Sequence, residues 1–370
     1  MTEHPSHAAG RLAIDLGALA DNWRAMAGRA SGATTAAVVK GDAYGIGIPF
    51  AVSALAAAGC GTFFVALPAE GISVRAVAPD AVVYVLGGLI GDAADYVAAD
   101  LRPVLNSVAE IEEWAAVRGA GATTSAALHV DTGMNRLGVS LDACRALAAR
   151  PGVAEGLGLA LLMSHLACAD SPGHPLNQRQ LAAFGEARGA LPGLPASLAN
   201  SAGVFLGADY RFDLVRPGIA LYGGRAVNDG ANPMRPVVTL EARILQVRDV
   251  PAGGTVGYGA AETLSRDSRI AVVGVGYADG YVRGAGAADG RPGASAFVRG
   301  QRVPLAGRVS MDLLALDVTD VPDVRRGDWA ELFGANIAVD DVAAHAGTIG
   351  YEYLTGLGAR YARTYTGPER

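Results

Sequence analysis

Lysine is almost missing from this sequence. Of its 30 Lys and Arg residues the only lysine is Lys40, so the other 29 are arginine. Cysteine is nearly as scarce: Cys60, Cys144 and Cys168 are an odd, scattered set with no CxxC spacing. That argues against a disulfide framework or a zinc site, and no metal is expected; the thiols read as buried or reduced. Charge is sparse too, at 18% of residues, and the 36 acidic groups outnumber the basic ones to leave a formal charge of −6. No basic footprint for nucleic acid exists, and small molecules are the expected partners. Nowhere do eighteen uncharged apolar residues run together, and the opening MTEHPSHAAGRLAIDLGAL carries Glu3 and polar residues where a signal peptide would carry an apolar core. No membrane span and a cytoplasmic location are therefore expected. With 51% hydrophobic residues in 370, disordered and fibrous classes are excluded, and two domains with real cores are expected at about 150 residues each.

A lone lysine can survive by chance. Drift to arginine that spares one position also points to chemistry a guanidinium cannot perform, because only an ε-amine can be desolvated, deprotonated and condensed with a carbonyl. Its setting supports that reading. Leu16, Leu19, Trp23, Met26 and Ala30 recur at helical spacing behind Asp15 and Gly17, and the apolar β-branched run 34–39 then leads into Lys40 and the glycines of GDAYGIG. Similar runs follow at 62–66, 82–86, 102–105, 125–130, 157–163, 195–200 and 213–216. Helix-compatible Ala-rich stretches such as 107–117 and 177–190 separate most of them. Eight strands alternating with helices predict a (β/α)8 TIM-type barrel over 1–230, whose first residues can join the second domain. Past Gly224 the texture changes to Val- and Thr-rich runs between Gly and Pro turns, which predicts a mainly antiparallel β domain over 231–370.

Catalytic groups of such a barrel sit at the carboxyl ends of its strands, where Lys40, His165, Asn200 with Ser201, and Arg216 all fall. Phosphate commonly binds after strands seven and eight, here Asn200-Ser201-Ala202-Gly203 and Arg216-Pro217-Gly218-Ile219. A phosphorylated carbonyl compound held by one lysine fits pyridoxal 5′-phosphate, and fits a sugar-phosphate Schiff-base aldolase equally.

AVVKGDAYGIG (37–47) resembles the cofactor-lysine signature of alanine racemases. Further matches run in that family's order: HVDTGMNRLGV (129–139), MSHLACAD (163–170), ANSAG (199–203), FDLVRPGIALYGG (212–224), VGYG (256–259), GVGYADGY (274–281), GRVSMD (307–312) and YEYLTGLGARYARTY (351–365). Each is weak alone, and together they are highly specific. The resemblance implies a pyridoxal 5′-phosphate enzyme interconverting L- and D-alanine and supplying D-alanine for peptidoglycan. It makes Lys40 the Schiff-base lysine and the base on one face of the substrate α-carbon, with Tyr258 of the partner subunit serving the opposite face.

A free phenol with pKa near 10 is only about one-thousandth ionised at pH 7. The resemblance answers this with a chain from Tyr258 through His165 to Arg216, whose guanidinium also faces the cofactor's pyridine nitrogen. It places Arg136 against the cofactor's phenolic oxygen and the substrate carboxylate. Tyr44, Ser201, Gly218, Ile219 and Tyr351 match the phosphate-binding set, and Leu86 is a further cofactor contact. Met311, Asp312 and Tyr277 lie near the substrate. Since Tyr258, Tyr277 and Met311 act across the interface, a homodimer with shared active sites is implied.

Plainer readings compete: His165 as a barrel-end histidine, Tyr277 as interface packing, Tyr44 and Tyr351 as core aromatics. Asp213 and Asp317 read as structural. Gly274, Gly276 and Gly280 have the wrong spacing for a dinucleotide loop. Three positions depart from the family pattern. His129 stands where many relatives carry a carbamylated lysine that steadies the counterpart of Arg136, so a neutral imidazole or another acceptor must do so here. Ile46 replaces a usual histidine, and Ser310 a frequent cysteine. A serine or broad-specificity racemase on the same scaffold is the alternative, because a small pocket rejects one extra hydroxyl poorly. A decarboxylase of related fold fits the two-base motifs less well, and a barrel-only carrier protein would lack the β domain.

Overall fold

Short apolar runs, each followed by an amphipathic stretch, leave the chain little choice but to alternate strand and helix. The computed structural model describes residues 8–367. Seven parallel strands lie side by side in sequence order: Ala37–Val38, Thr62–Val65, Val82–Val85, Arg102–Leu105, Ala126–His129, Leu159–Met163 and Ala196–Ser197. An eighth, Leu214–Val215, closes the circle by pairing in parallel with Thr34–Thr35. It meets the seventh strand through Arg216 N–H, which donates to Ala199 O at 2.9 Å. Most strand residues are buried, as expected when side chains fill the barrel on one face and meet helices on the other.

Two details differ from the sequence expectation. The run 34–39 is not one strand: residues 34–35 pair with the eighth strand and 37–38 with the second, while Ala36 N–H bonds Val215 O between them. A tilted barrel strand must hand over from one neighbour to the next in this way. The runs 195–200 and 213–216 pair for two residues each. Beyond these, Asn200 makes only an isolated bridge to Arg216 and caps the helix Ser201–Leu206, its side chain accepting from Gly203 N–H at 2.9 Å. Pro217 has no N–H with which to continue the other run.

The barrel unit comprises residues 19–221 and 225–234, and the other compact unit comprises 8–18, 222–224 and 235–367. The latter is built on an eight-stranded sheet organised by the long strand Val238–Val250. That strand pairs antiparallel with Gly10–Asp15, Ser268–Val273 and Trp329–Phe333, and irregularities at 240–241 and 244–246 let it bend between neighbours. The sheet is antiparallel except where Gly10–Asp15 runs parallel to Ala362–Thr366. Tyr281 and Tyr353 pack edge to face at 5.5 Å in its buried core.

Among the described residues no helix is long and apolar enough to cross a membrane, and no cluster of His, Cys, Asp and Glu could hold a metal. Cys60 and Cys144 are buried free thiols and Cys168 is half-buried. Burial pushes the Cys60 thiol up to about 12, so it stays protonated and unreactive.

Candidate active site

The ladder of the first barrel strand ends where Val39 N–H bonds Phe64 O, and Lys40 follows at once. The backbone then turns left-handed through Gly41, Asp42, Ala43, Tyr44 and Gly45, with φ between 51° and 81°. For each of the three residues that are not glycine this costs about 1–2 kcal/mol, so the turn has to be held from outside. Asp42 Oδ1 accepts from Ile48 N–H at 2.9 Å, and Glu70 Oε1 accepts from Gly41 N–H at 2.6 Å. The turn buries Tyr44 while Lys40 keeps an exposed surface. Protein still crowds the ammonium enough that desolvation is the first cause lowering its pKa, the Arg136 charge the second, with Glu70 opposing.

Arg216, directly after the eighth strand, is buried, and among the described residues no carboxylate pairs with it. It donates to Ser164 O at 2.6 Å, to the Ser197 hydroxyl and to His165 Nδ1 at 3.5 Å. Burial lowers its pKa to about 9, so it stays charged at neutral pH. A guanidinium only donates, which makes His165 Nδ1 the acceptor and puts the imidazole proton on Nε2. Burial first, then the charges of Arg216 and Arg136, holds His165 well below its ordinary pKa and hence neutral. Gln180 fastens the same loop: its side chain donates to His165 O at 2.9 Å and accepts from Ala167 N–H at 2.9 Å.

The histidine at 129 has the opposite tautomer. Asn106 Nδ2 donates to Val104 O at 2.8 Å and Leu86 O at 3.3 Å, so Asn106 Oδ1 must accept from His129 Nδ1–H, 2.8 Å away. His129 Nε2 therefore carries a lone pair. Arg136 makes no hydrogen bond or ion pair among the described residues, but its charge is felt at His129. The loop bearing it is set by Asp131, whose carboxylate accepts from the N–H groups of Gly133, Met134 and Asn135.

Burial first, with Arg216 next, lowers the His129 pKa to about 4. An unfolded histidine takes up its proton near pH 6.5, so His129 favours the fold fully above that pH and the benefit, about 3 kcal/mol, is lost as pH falls through 4. Between pH 7 and 4.5 the chain should lose about 2.5 kcal/mol more stability than His129→Asn. Unfolding curves of both proteins at both pH values test this, and equal losses would show that His129 is not held neutral.

The phosphate-like cradle lies beside these groups. Ser201 Oγ accepts from Gly218 N–H at 2.8 Å and Ala220 N–H at 3.4 Å, gathering a hydroxyl and two amides at one point. A Cβ at Gly218 would stand 2.3 Å from the Tyr44 hydroxyl, so only glycine leaves this space. Ile219, which is buried, opens the turn Ile219–Tyr222. An amine with lowered pKa, two cationic guanidiniums and this cradle fit a phosphorylated aldehyde and a carboxylate substrate. Ile46 is wholly buried.

In the other unit, Tyr258 sits between Gly257 and Gly259, at φ 76° and 72°, and is 71% exposed. Both glycines lie against Arg308. Tyr277 N–H bonds Ser310 O at 3.0 Å and Ala278 N–H bonds Met311 O at 2.9 Å, with Gly276 packed on the same carbonyls. The segment 307–312 thus gathers Tyr258, Tyr277 and Met311, the last two 42% and 54% exposed. Asp312 is engaged by Arg360 at 2.8 Å, which also holds Asp279 at 2.6 Å. Tyr351, partly exposed, lies in the first turn of the helix Gly350–Thr355.

Glu70, Asn106, Asp131 and Gln180 escaped the sequence reading. Glu70 and Asp131 carried a visible signal: an acidic residue three places into a helix, and an aspartate two places before a glycine.

Residues 14–226 match the family described as "Alanine racemase, N-terminal domain", and residues 237–365 match "Alanine racemase, C-terminal domain". The chain is 54% identical over 369 residues to an alanine racemase of Rhizobium meliloti, covering 97% of each chain. It is 52% identical to a biosynthetic alanine racemase of Agrobacterium fabrum, over 96% of this chain and 93% of that one. The crystal structure of alanine racemase from Bartonella henselae with covalently bound pyridoxal phosphate superposes with a TM-score of 0.91 at 37% identity, over 97% of this chain and all of that one. With both halves matched in order and identity above half along nearly the whole length, this chain belongs to the alanine racemase family.

Proposed function

We propose that this protein is a pyridoxal 5′-phosphate-dependent alanine racemase that interconverts L- and D-alanine by a two-base mechanism. The observation that carries this is the sequence's single lysine, its pKa lowered, at a barrel mouth that also holds Arg136, Arg216 and the Ser201–Gly218–Tyr44 cradle. When bound, the cofactor supplies an electron sink for the bond to the substrate α-hydrogen. Tyr44, Ser201, Gly218 and Ile219 would hold its phosphate, with Tyr351 added by the family resemblance; Leu86 would contact it, and Arg136 would meet its phenolic oxygen and the substrate carboxylate. Arg216 would donate to the ring nitrogen without surrendering a proton to it, which would restrain side reactions such as transamination.

Lys40 takes or gives the proton on one face of the α-carbon, and its lowered pKa raises the fraction of free amine. Tyr258 of the partner subunit serves the other face. His165, neutral and protonated on Nε2, has a donor to offer the Tyr258 oxygen while Arg216 fixes its other nitrogen. Tyr277, Met311 and Asp312 border the substrate. The exposed aromatic and thioether surface at Tyr258, Tyr277 and Met311 supports a homodimer with shared sites. A cytoplasmic enzyme supplying D-alanine to peptidoglycan is the role this reading implies.

Purified protein incubated with L-alanine and, separately, L-serine in D2O tests the reading by visible spectrum and chiral chromatography. A yellow protein forming α-deuterated D-alanine much faster than D-serine supports it. Comparable rates favour a broad-specificity racemase, and a cofactor-loaded protein with no D-product would overturn it. Gly218→Ala tests the cradle. Its Cβ collides with Tyr44, and overpacking of this kind costs about 1–3 kcal/mol. Pyridoxal 5′-phosphate should then bind about ten- to a hundredfold more weakly, with pyridoxal, which lacks the phosphate, little affected. Equal losses for both compounds would place the phosphate elsewhere.

A further inference from the structure

We propose that Glu70 is a positioning residue for Lys40: its carboxylate clamps the left-handed turn that presents the lysine to the turn after the second barrel strand. One oxygen, Oε1, accepts from Gly41 N–H at 2.6 Å and Asp42 N–H at 3.3 Å. The other, Oε2, accepts from Ala66 N–H at 2.8 Å and Leu67 N–H at 3.1 Å. Four backbone donors from two loops thus meet on one half-buried carboxylate. Hydrogen bonds to a charged acceptor are the strong ones, and they fall where Asp42, Ala43 and Tyr44 adopt an unfavourable φ.

The same turn carries both Lys40 and Tyr44, so releasing it moves the amine and the hydroxyl beside Gly218 together. Helix capping alone does not account for this. Glu70 is the third residue of the helix Pro68–Val77, and its bonds to Ala66 and Leu67 are what a cap requires; those to Gly41 and Asp42 reach 28–29 residues back along the chain. Glu110 occupies the same position in the helix Val108–Gly119 and caps it through Asn106 N–H, but reaches back to Leu89 instead. The chain therefore contains its own control.

The role in the reaction rests on the proposed function; the clamp itself does not. Amide hydrogen exchange of the full-length protein, without added cofactor, is measured over 41–48 in wild type, Glu70→Ala, Glu70→Gln and Glu110→Ala. Glu70→Ala should speed exchange there about tenfold or more, and Glu110→Ala should leave it within about twofold of wild type while loosening 88–89. Glu70→Gln keeps one accepting oxygen and should fall between, which decides the matter if the alanine variant does not fold. Pyridoxal 5′-phosphate uptake, followed by its visible band, should weaken about tenfold in Glu70→Ala and little in Glu110→Ala. Unchanged exchange at 41–48 in both Glu70 variants, or an equal change in Glu110→Ala, would overturn the clamp. A wild type that takes up no pyridoxal 5′-phosphate would instead overturn the functional reading, with the exchange result still standing.

Discussion

Lys40→Ala loses the visible band of lysine-bound pyridoxal 5′-phosphate and racemises alanine at least about a thousandfold more slowly. The expectation is unusually sharp because the sequence offers no other lysine to take over. Lys40→Arg should fail equally. It preserves the positive charge and much of the length, but a guanidinium keeps its proton and cannot condense with an aldehyde. Both variants keep the Ser201–Gly218–Tyr44 cradle, so the cofactor should still bind, reversibly and without the band, when measured by equilibrium dialysis. That combination separates the two tasks of the site, holding an anion and forming a bond. Retention of the band in Lys40→Ala would place the covalent attachment on another amine and dismantle the assignment.

How much of this was legible in the sequence depends on the distance over which each feature is determined. The eight barrel strands could be read because each is a short apolar run ended by a turn, a local property. Lys40 stood out by being alone, which is compositional. The left-handed turn after it was only half visible: Gly41, Gly45 and Gly47 announced a loop and Asp42 tolerates positive φ, but Ala43 and Tyr44 do not favour it. Glu70 grips the turn at Gly41 and Asp42 from another loop, and no local pattern reports such a contact. The tautomers were hidden for the same reason. Whether His129 presents a lone pair or a proton depends on Asn106, which in turn is oriented by the carbonyls of Leu86 and Val104. The His129 departure from the family pattern was plain in the sequence; its answer needed three strands side by side.

Tyr258→Phe should keep the cofactor and its visible band while racemisation falls by about a hundred- to ten-thousandfold, the range for loss of one acid–base group. The change removes a single oxygen from a side chain that is 71% exposed and lies outside any core, so the fold and the barrel mouth have no reason to change. Inversion needs proton removal on one face and delivery on the other, and a phenyl ring without its hydroxyl has nothing to deliver. Lys40 still can act on its own face. In D2O one enantiomer of alanine should therefore continue to exchange its α-hydrogen with retention, whereas the other should neither exchange nor invert. This asymmetry distinguishes a lost base from a damaged site, which would slow both enantiomers alike. It also tests the direction of the His165 tautomer. Arg216 fixes the imidazole proton on Nε2, so in the proposed contact His165 would donate to the tyrosine oxygen and would not accept its proton there. His165→Gln, which also has a donor to offer, should consequently retain far more activity than Tyr258→Phe. If instead Tyr258→Phe racemises normally, the second base lies elsewhere and the exposed segment around 307–312 serves only as packing surface.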